Sequence, residues 1–318
     1  MASFEAINYS VRPNKCVERK IIFESLSRLS LAFKFSDYHY VGMGSMWFVD
    51  FVMAHKYLAI KNLTSFELAE YHPRAEFNRP YKNINVIAGP AADGIAEFDW
   101  TKPAIVWLDY DSGADNPAIF DDSADLAARI SFDSILMVTV NAHLGTIPKL
   151  DEHGKEVTKH ESLRLMLKDA APSKEEFPHI NAKKFPSVLA TCLIRHIERA
   201  HRRSGRGGKF VPFLNFKYTD NAPMITVGGM FVNEESEGKL LNDPHFKDSE
   251  YFSEELYEIS IPPLTHRERM ALDALLPSEA SLTQAEVKDV LGFTLRQDQL
   301  DGYSKFYKLY PTYGELTL

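Results

Sequence analysis

The stretch that decides the fold is YHYVGMGSMWFVDFVMAHKYL, residues 38–58. A short run of aromatic and β-branched residues meets Gly42-Met43-Gly44-Ser45, and an amphipathic pattern of helical period begins at Trp47. The grammar is strand, glycine turn, helix. Glycines lack a Cβ, so a ligand can approach the backbone there, and the following helix N-terminus favours polar or anionic groups. A tight turn in a packed core uses the same residues, and two glycines alone do not separate the two readings.

Working outward, strand-like runs recur as LTSFEL, INVIAG, AIVWLDYD and SILMVTVN, with helical stretches between them such as HPRAEFNRPY and ADLAARI. Strands alternating with helices imply parallel βαβ units, and the near-continuous apolar character of AIVWL and SILMVTV fits strands covered on both faces. The expected architecture is α/β, a doubly wound sheet. FVPFLNFKYTD and PMITVGGMFVN then read as strands joined through Asp220-Asn221-Ala222-Pro223. A joint that short gives an antiparallel hairpin, because a parallel crossover needs a dozen residues or more.

Before the sheet, residues 14–33 read as an amphipathic helix. Its apolar face holds Cys16, Ile21 or Ile22, Leu26, Leu29 and Phe33, with Lys15, Glu18, Arg19, Glu24 and Arg28 placed elsewhere. After the sheet, Thr265 with Glu268 and Thr283 with Glu286 have the spacing of capping boxes. The expected division is an N-terminal helical segment at 1–37, a main domain at 38–251 with an insert at about 144–183, and a small helical appendage, of winged-helix type, at 252–318.

Composition narrows the classes. The 318 residues are 45% hydrophobic and 25% charged, as in ordinary globular proteins, and the formal charge of -8 supplies no global field for nucleic acid. Two cysteines far apart, Cys16 and Cys192, fit free thiols in a reducing compartment better than a disulfide or zinc framework. MASFEAINYS has neither a basic nor an apolar region of a secretion signal, and no run nears the roughly 18 apolar residues of a membrane span, so a cytoplasmic location is expected.

In an open α/β sheet, ligands bind beyond the carboxyl ends of the strands, where strand order reverses. The residues there are the site candidates. Gly42, Gly44 and Ser45 follow the first strand. Glu67 follows the second, 23 positions after Gly44, a spacing at which a carboxylate can accept both hydroxyl hydrogens of a ribose; Glu70 is the reserve. Asp93 follows the third strand and could meet an exocyclic amino group or cap a helix. Asp109-Tyr110-Asp111 follows the fourth, an acidic pair costly to place beside an apolar core without a purpose. Asn141 and His143 follow the fifth: Asn141 could bind a substrate or a metal, and His143 is the histidine best placed for proton transfer, although a lone histidine is more often structural.

In this order of parts the chain resembles the Rossmann-like S-adenosylmethionine-dependent methyltransferases, over about residues 38–233. The resemblance implies a seven-stranded sheet of order 3-2-1-4-5-7-6 with an antiparallel seventh strand, and S-adenosylmethionine as cofactor. By the same resemblance Gly42, Gly44 and Ser45 lie beside the methionine part, Glu67 binds ribose and Asp93 faces adenine. Asp109 and Asp111 lie at the substrate edge, with Tyr110 and Asn141 as substrate contacts. WLDYD looks like O-methyltransferases of small molecules, some of which bind a divalent metal through aspartates and an asparagine; only Asp109 or Asp111 plus Asn141 are available here, and no metal is expected. Two departures stand out: no acidic residue precedes the glycines, and the third glycine is absent.

The expected activity is therefore O-methylation of a small molecule, with Asp109 or Asp111 orienting the nucleophile and His143 as a base. Two other readings stay open. The fold could hold a cofactor or nucleotide without catalysis and act through a protein partner or a second copy, as the altered glycine loop suggests. Or it could modify nucleic acid through Arg195, Arg199, Arg202, Arg203 and Arg206, although cations at a helix C-terminus are favoured by the dipole alone.

Overall fold

The structure, a computed structural model, describes residues 8, 11–151 and 153–312. Most of the stretch read for a secretion signal lies outside the described residues. The first half runs α1 (Pro13–Leu29), β1 (His39–Gly42), α2 (Val49–Leu58), β2 (Asn62–Glu67), α3 (His72–Asn78), β3 (Ile84–Ala88), α4 (Ala91–Glu97), β4 (Ala104–Gly113), α5 (Ala118–Arg129) and β5 (Ile135–Asn141). Then follow α6 (Lys159–Leu167), α7 (Phe185–Arg203), β6 (Lys209–Pro212), β7 (Phe216–Thr219), β8 (Pro223–Val232), α8 (Glu234–Asn242), α9 (Pro244–Asp248), β9 (Tyr257–Ile259), α10 (His266–Asp273), α11 (Gln284–Leu291) and α12 (Gln297–Phe306).

The strands form one sheet ordered β3-β2-β1-β4-β5-β8-β7-β9, with β6 also paired to β8. Pairings from β3 to β5 are parallel and β8 runs antiparallel to β5. This is the anticipated doubly wound order with an antiparallel strand beside the fifth, and the hairpin turns between Thr219 and Pro223 as expected. Among the described residues nine strands replace the anticipated seven. The run FVPFLNFKYTD is broken at Phe213-Leu214, whose N–H groups both reach the Gly228 carbonyl, so β6 and β7 pair with different halves of β8. The additional edge strand β9 lies parallel to β7 and comes from the segment read as an appendage.

Two apolar layers sandwich the sheet. One gathers Ile22, Phe23 and Leu26 of α1 and Phe51 of α2 against Tyr40 and Trp107. The other packs Ile119 of α5 and Leu189 and Leu193 of α7 on Val106, Leu108 and Val138. A separate small cluster, with Leu272, Val287, Leu300 and Tyr303, holds α10 to α12 together, and both expected capping boxes are formed there. Both cysteines are free thiols; Cys192 is buried and Cys16 only half-buried.

The helix α1 ends one turn earlier than its pattern suggested and buries more than its apolar stripe. Lys15 is 1% exposed, Glu18 0% and Arg19 5%, where the sequence reading had them on the polar side. They lie at the i+3 and i+4 spacings that continue through Ile22 and Leu26, and so share the face turned to the sheet. The start of α1 has no local side-chain cap. Asp220, in the hairpin more than 200 residues away, supplies one, its carboxylate accepting from the Asn14 and Lys15 N–H groups and the Asn14 amide at 3.0 to 3.1 Å.

Candidate functional site

The sheet reverses order between β1 and β4, and in register Gly42 lies between Ser65 and Trp107 while Glu67 pairs with Ala88. The carboxyl ends of four strands therefore finish at one level, and a cavity of about 520 Å³ opens above them. Gly44, Ser45 and Trp47 line it from the β1–α2 loop, Glu67 and Tyr71 from beyond β2, and residues 89–92 from beyond β3. Asp109, Tyr110 and Asp111 close it from β4, Asn116 and Asp122 from the start of α5, Asp50 from α2, and Arg19 from α1.

The loop after β1 is strained at two residues that carry a Cβ. Ser45 and Phe48 sit at φ 49° and 47°, in the left-handed region that costs a residue with a Cβ. What holds them is packing: Phe48 is fully buried, and its ring lies so close to Gly44 that a Cβ there would come within 2.6 Å. The strained backbone aims the Ser45 N–H at the Glu67 carboxylate. The Ser65 hydroxyl accepts from the Gly44 N–H at 2.9 Å and donates to Glu67 Oε1 at 3.3 Å. Burial pushes the Glu67 carboxyl up to about 7, against the lowering pull of the Ser45 and Ser65 hydrogen bonds. A carboxyl is thus held rigidly on the cavity wall with titration near neutrality.

On the opposite wall Asp109 is 22% exposed at its side chain, and its Oδ1 accepts from Lys15 Nζ at 2.9 Å. Lys15 also meets Glu18 at 2.9 Å and stands 4.5 Å over the Trp107 ring. Burial works to raise the Asp109 carboxyl, but the Lys15 and Arg19 cations outweigh it and hold it below the usual range. Glu18 goes the other way, raised by burial in spite of Lys15 and of the Thr226 hydroxyl that donates to it. After Asp109 the β4 register shifts against β5, a bulge that re-aims the next side chains. Tyr110 is locked by its hydroxyl donating to Asp122 at 2.5 Å, while Asp111 is exposed at the rim.

Of the residues singled out from sequence, the cavity brings together Gly44, Ser45, Glu67, Asp109, Tyr110 and Asp111. The others do not line it. Gly42 ends β1 beneath it, where a Cβ would stand 3.1 Å from the Trp107 carbonyl. Asp93 and Glu70 are exposed outside it. Asn141 lines a separate hollow of about 170 Å³ with Asp111, Asp220 and Asn221, its Oδ1 accepting from the His143 N–H. His143 is exposed, its Nδ1 taken up by the Gly145 N–H, so the ring caps a turn and does not face the cavity. Among the described residues no three His, Cys, Asp or Glu side chains converge as a metal site requires, and no helix is long and apolar enough to cross a membrane.

Sequence reasoning missed Arg19, Lys15 and Asp50, which stand on helices where charge reads as a solvated face. The signal that could have found the first two is their continuation of the Ile22–Leu26 stripe. Of the arginines singled out near the end of α7, Arg195 forks onto Glu176 and Arg206, beyond the helix, donates to the Ala128 and Ile130 carbonyls, while Arg202 and Arg203 are exposed.

A family model described as "Putative O-methyltransferase" matches residues 7–318. Comparison with curated proteins returned no match. Among solved structures, one similar fold is LepI in complex with SAH and a substrate analogue, at 9% identity and TM-score 0.34, covering 61% of this chain and 43% of that one. This chain thus spans less than half the length of that protein. An O-methyltransferase from Bacillus cereus in complex with SAH matches at 10% identity and TM-score 0.34, covering 65% and 79%. A "putative O-methyltransferase" from Klebsiella pneumoniae matches at 10% and 0.36, covering 72% and 94%. At scores this low the chain's own strand order carries the fold.

Proposed function

The chain belongs to this O-methyltransferase family, and from that premise we propose that it transfers the methyl group of S-adenosylmethionine to an oxygen of a small molecule. The observation that carries the proposal is the buried Glu67 carboxylate on the wall of the cavity that Gly44, Ser45, Asp109 and Asp111 share. A volume of about 520 Å³ is ample for an adenosyl ligand. Gly89, at φ 138° with nothing but Asp93 within 4 Å of where a Cβ would stand, leaves the wall beyond β3 open to a flat ring.

Glu67 takes the ribose hydroxyls, and residues 89–92 face the base. Once bound, the cofactor supplies a methyl carbon already activated by its sulfonium, so the protein's work is alignment and exclusion of water. Asp109 is held by Lys15 at 2.9 Å, and Asp111, exposed at the rim, orients the acceptor hydroxyl and accepts its hydrogen. His143 has no part in that proton path, because its ring lies outside the cavity. Tyr110, held by Asp122, forms a fixed wall against which a flat acceptor can pack.

The test is calorimetric binding of S-adenosylhomocysteine to the wild-type chain and to Asp111→Asn, combined with methyl transfer to a panel of hydroxylated small molecules. Asp111→Asn is expected to bind the cofactor product as the wild type does while turnover falls about 100-fold or more. No binding by the wild type would end the reading; undiminished turnover in the variant would remove Asp111 from it.

A further inference from the structure

Beside the main cavity lies the hollow of about 170 Å³, and among the described residues Asp111 alone lines both. Strand register builds its floor. Asn141 on β5 pairs with Met224 on β8, and Met224 pairs in turn with Tyr218 on β7. Residues directly opposite each other in antiparallel strands turn their side chains to the same face, so the three stand in one row across the sheet. Met224 at 6% and Tyr218 at 3% exposed give the row an apolar end, and Lys15 Nζ, 5.6 Å from the Tyr218 ring centroid, holds it from the side of α1.

The hairpin turn supplies the outer wall through Asp220, Asn221 and Ala222. That turn is fixed, because both Asp220 oxygens accept from the start of α1. Asn141 is fixed as well: its Oδ1 accepts from the His143 N–H at 2.9 Å, and its Nδ2 has no hydrogen-bond partner among the described residues. An amide held by its oxygen offers two N–H donors. The hollow admits about six heavy atoms, the size of one small ring or a short side group. Arg12 brings one positive charge to its walls against the two carboxylates of Asp111 and Asp220, so an anionic group is not favoured there.

We propose that this hollow is a specificity subsite: the acceptor lies in the main cavity with its reacting hydroxyl at Asp111, and a short uncharged arm passes Asp111 into the hollow, where Asn141 donates to an oxygen on it. The proposal rests on the methyl-transfer reading above and names the acceptor class. That class is a flat hydroxylated molecule with a neutral carbonyl or hydroxyl oxygen on a side group of about six heavy atoms or fewer. Met224 and Tyr218 receive the apolar part of the arm, and Ala222, small at the wall, gives it room. A fixed donor discriminates where apolar fit does not, because an arm without the oxygen leaves the donor unpaired.

The experiment measures kcat/KM on the full chain for 3-hydroxyacetophenone and 3-ethylphenol, whose arms differ by one carbonyl oxygen, and for phenol, which has no arm. The wild type is expected to favour 3-hydroxyacetophenone over 3-ethylphenol by about tenfold or more. Asn141→Asp keeps the oxygen that accepts from His143 and loses the donors, so that ratio is expected to fall about tenfold. Ala222→Leu narrows the hollow, and kcat/KM for both arm-bearing compounds relative to phenol is expected to fall about tenfold, through KM more than kcat. Calorimetric binding of S-adenosylhomocysteine, expected within about twofold of wild type, shows that each variant is folded. An unchanged ratio in either folded variant would overturn the proposal. So would a wild type that binds S-adenosylhomocysteine and methylates none of the three, or methylates them without preference. A wild type that does not bind S-adenosylhomocysteine would instead refute the cofactor reading itself, and this proposal with it.

Discussion

Between pH 4 and pH 8 the Glu67 carboxyl makes two opposite demands on this protein. In the folded chain burial raises it to about 7 from an ordinary value of 4.5. The folded state therefore holds this proton more firmly than the unfolded one, and the sign follows. The stabilising contribution is complete below pH about 4.5 and is lost as pH rises through 7, costing roughly 3 kcal/mol by pH 8. Glu67→Gln keeps the shape and one acceptor oxygen and cannot ionise. The stability difference between variant and wild type, both free of ligand, should thus move by about 3 kcal/mol in the variant's favour from pH 4 to pH 8, or about 5 °C in melting temperature for a chain of this size. Other titrating groups cancel in that difference. Binding runs the other way: the ribose hydroxyls need the ionised carboxylate, so S-adenosylhomocysteine affinity of the wild type should rise about tenfold per pH unit from 5 to 7 and then level. The variant's affinity should be weaker and flat. Denaturant unfolding and calorimetry at four pH values read both. Parallel pH curves for the two chains would show that Glu67 does not titrate where its burial places it, and the ribose assignment would go with it.

Two further outcomes are open to direct measurement. Asp220→Ala removes the remote cap of α1, and a loss of about 1–2 kcal/mol in unfolding free energy is expected; an unchanged denaturation midpoint would mean that water caps the helix equally well. His143→Ala removes only an exposed ring that accepts from Gly145, so kcat/KM should stay within about twofold of wild type; a loss of a hundredfold or more would restore His143 as the base.

What the sequence determined by itself rests on short-range physics. Strand–turn–helix around Gly42 and Gly44, the hairpin at Asp220–Pro223 and the caps at Thr265 and Thr283 each depend on residues within a few positions of one another, where period and turn chemistry act directly. Glu67 was legible for a related reason: a carboxylate at a strand end in a βαβ unit has little freedom as to where it arrives. What only the tertiary structure decided concerns partners distant along the chain. Lys15 meets Asp109 across 94 residues and Glu18 accepts from Thr226 across 208, so a helix face that reads as solvated charge is instead buried beneath the cavity. The split of β6 from β7 and the arrival of β9 at the sheet edge likewise depend on pairings with remote strands. His143, well placed along the chain, was turned outward by its bond to Gly145. Periodicity reports which side of a helix faces inward only when that side is apolar; where an inward charge is neutralised by a residue from elsewhere in the chain, the information lies in the pair, and folding alone brings the pair together.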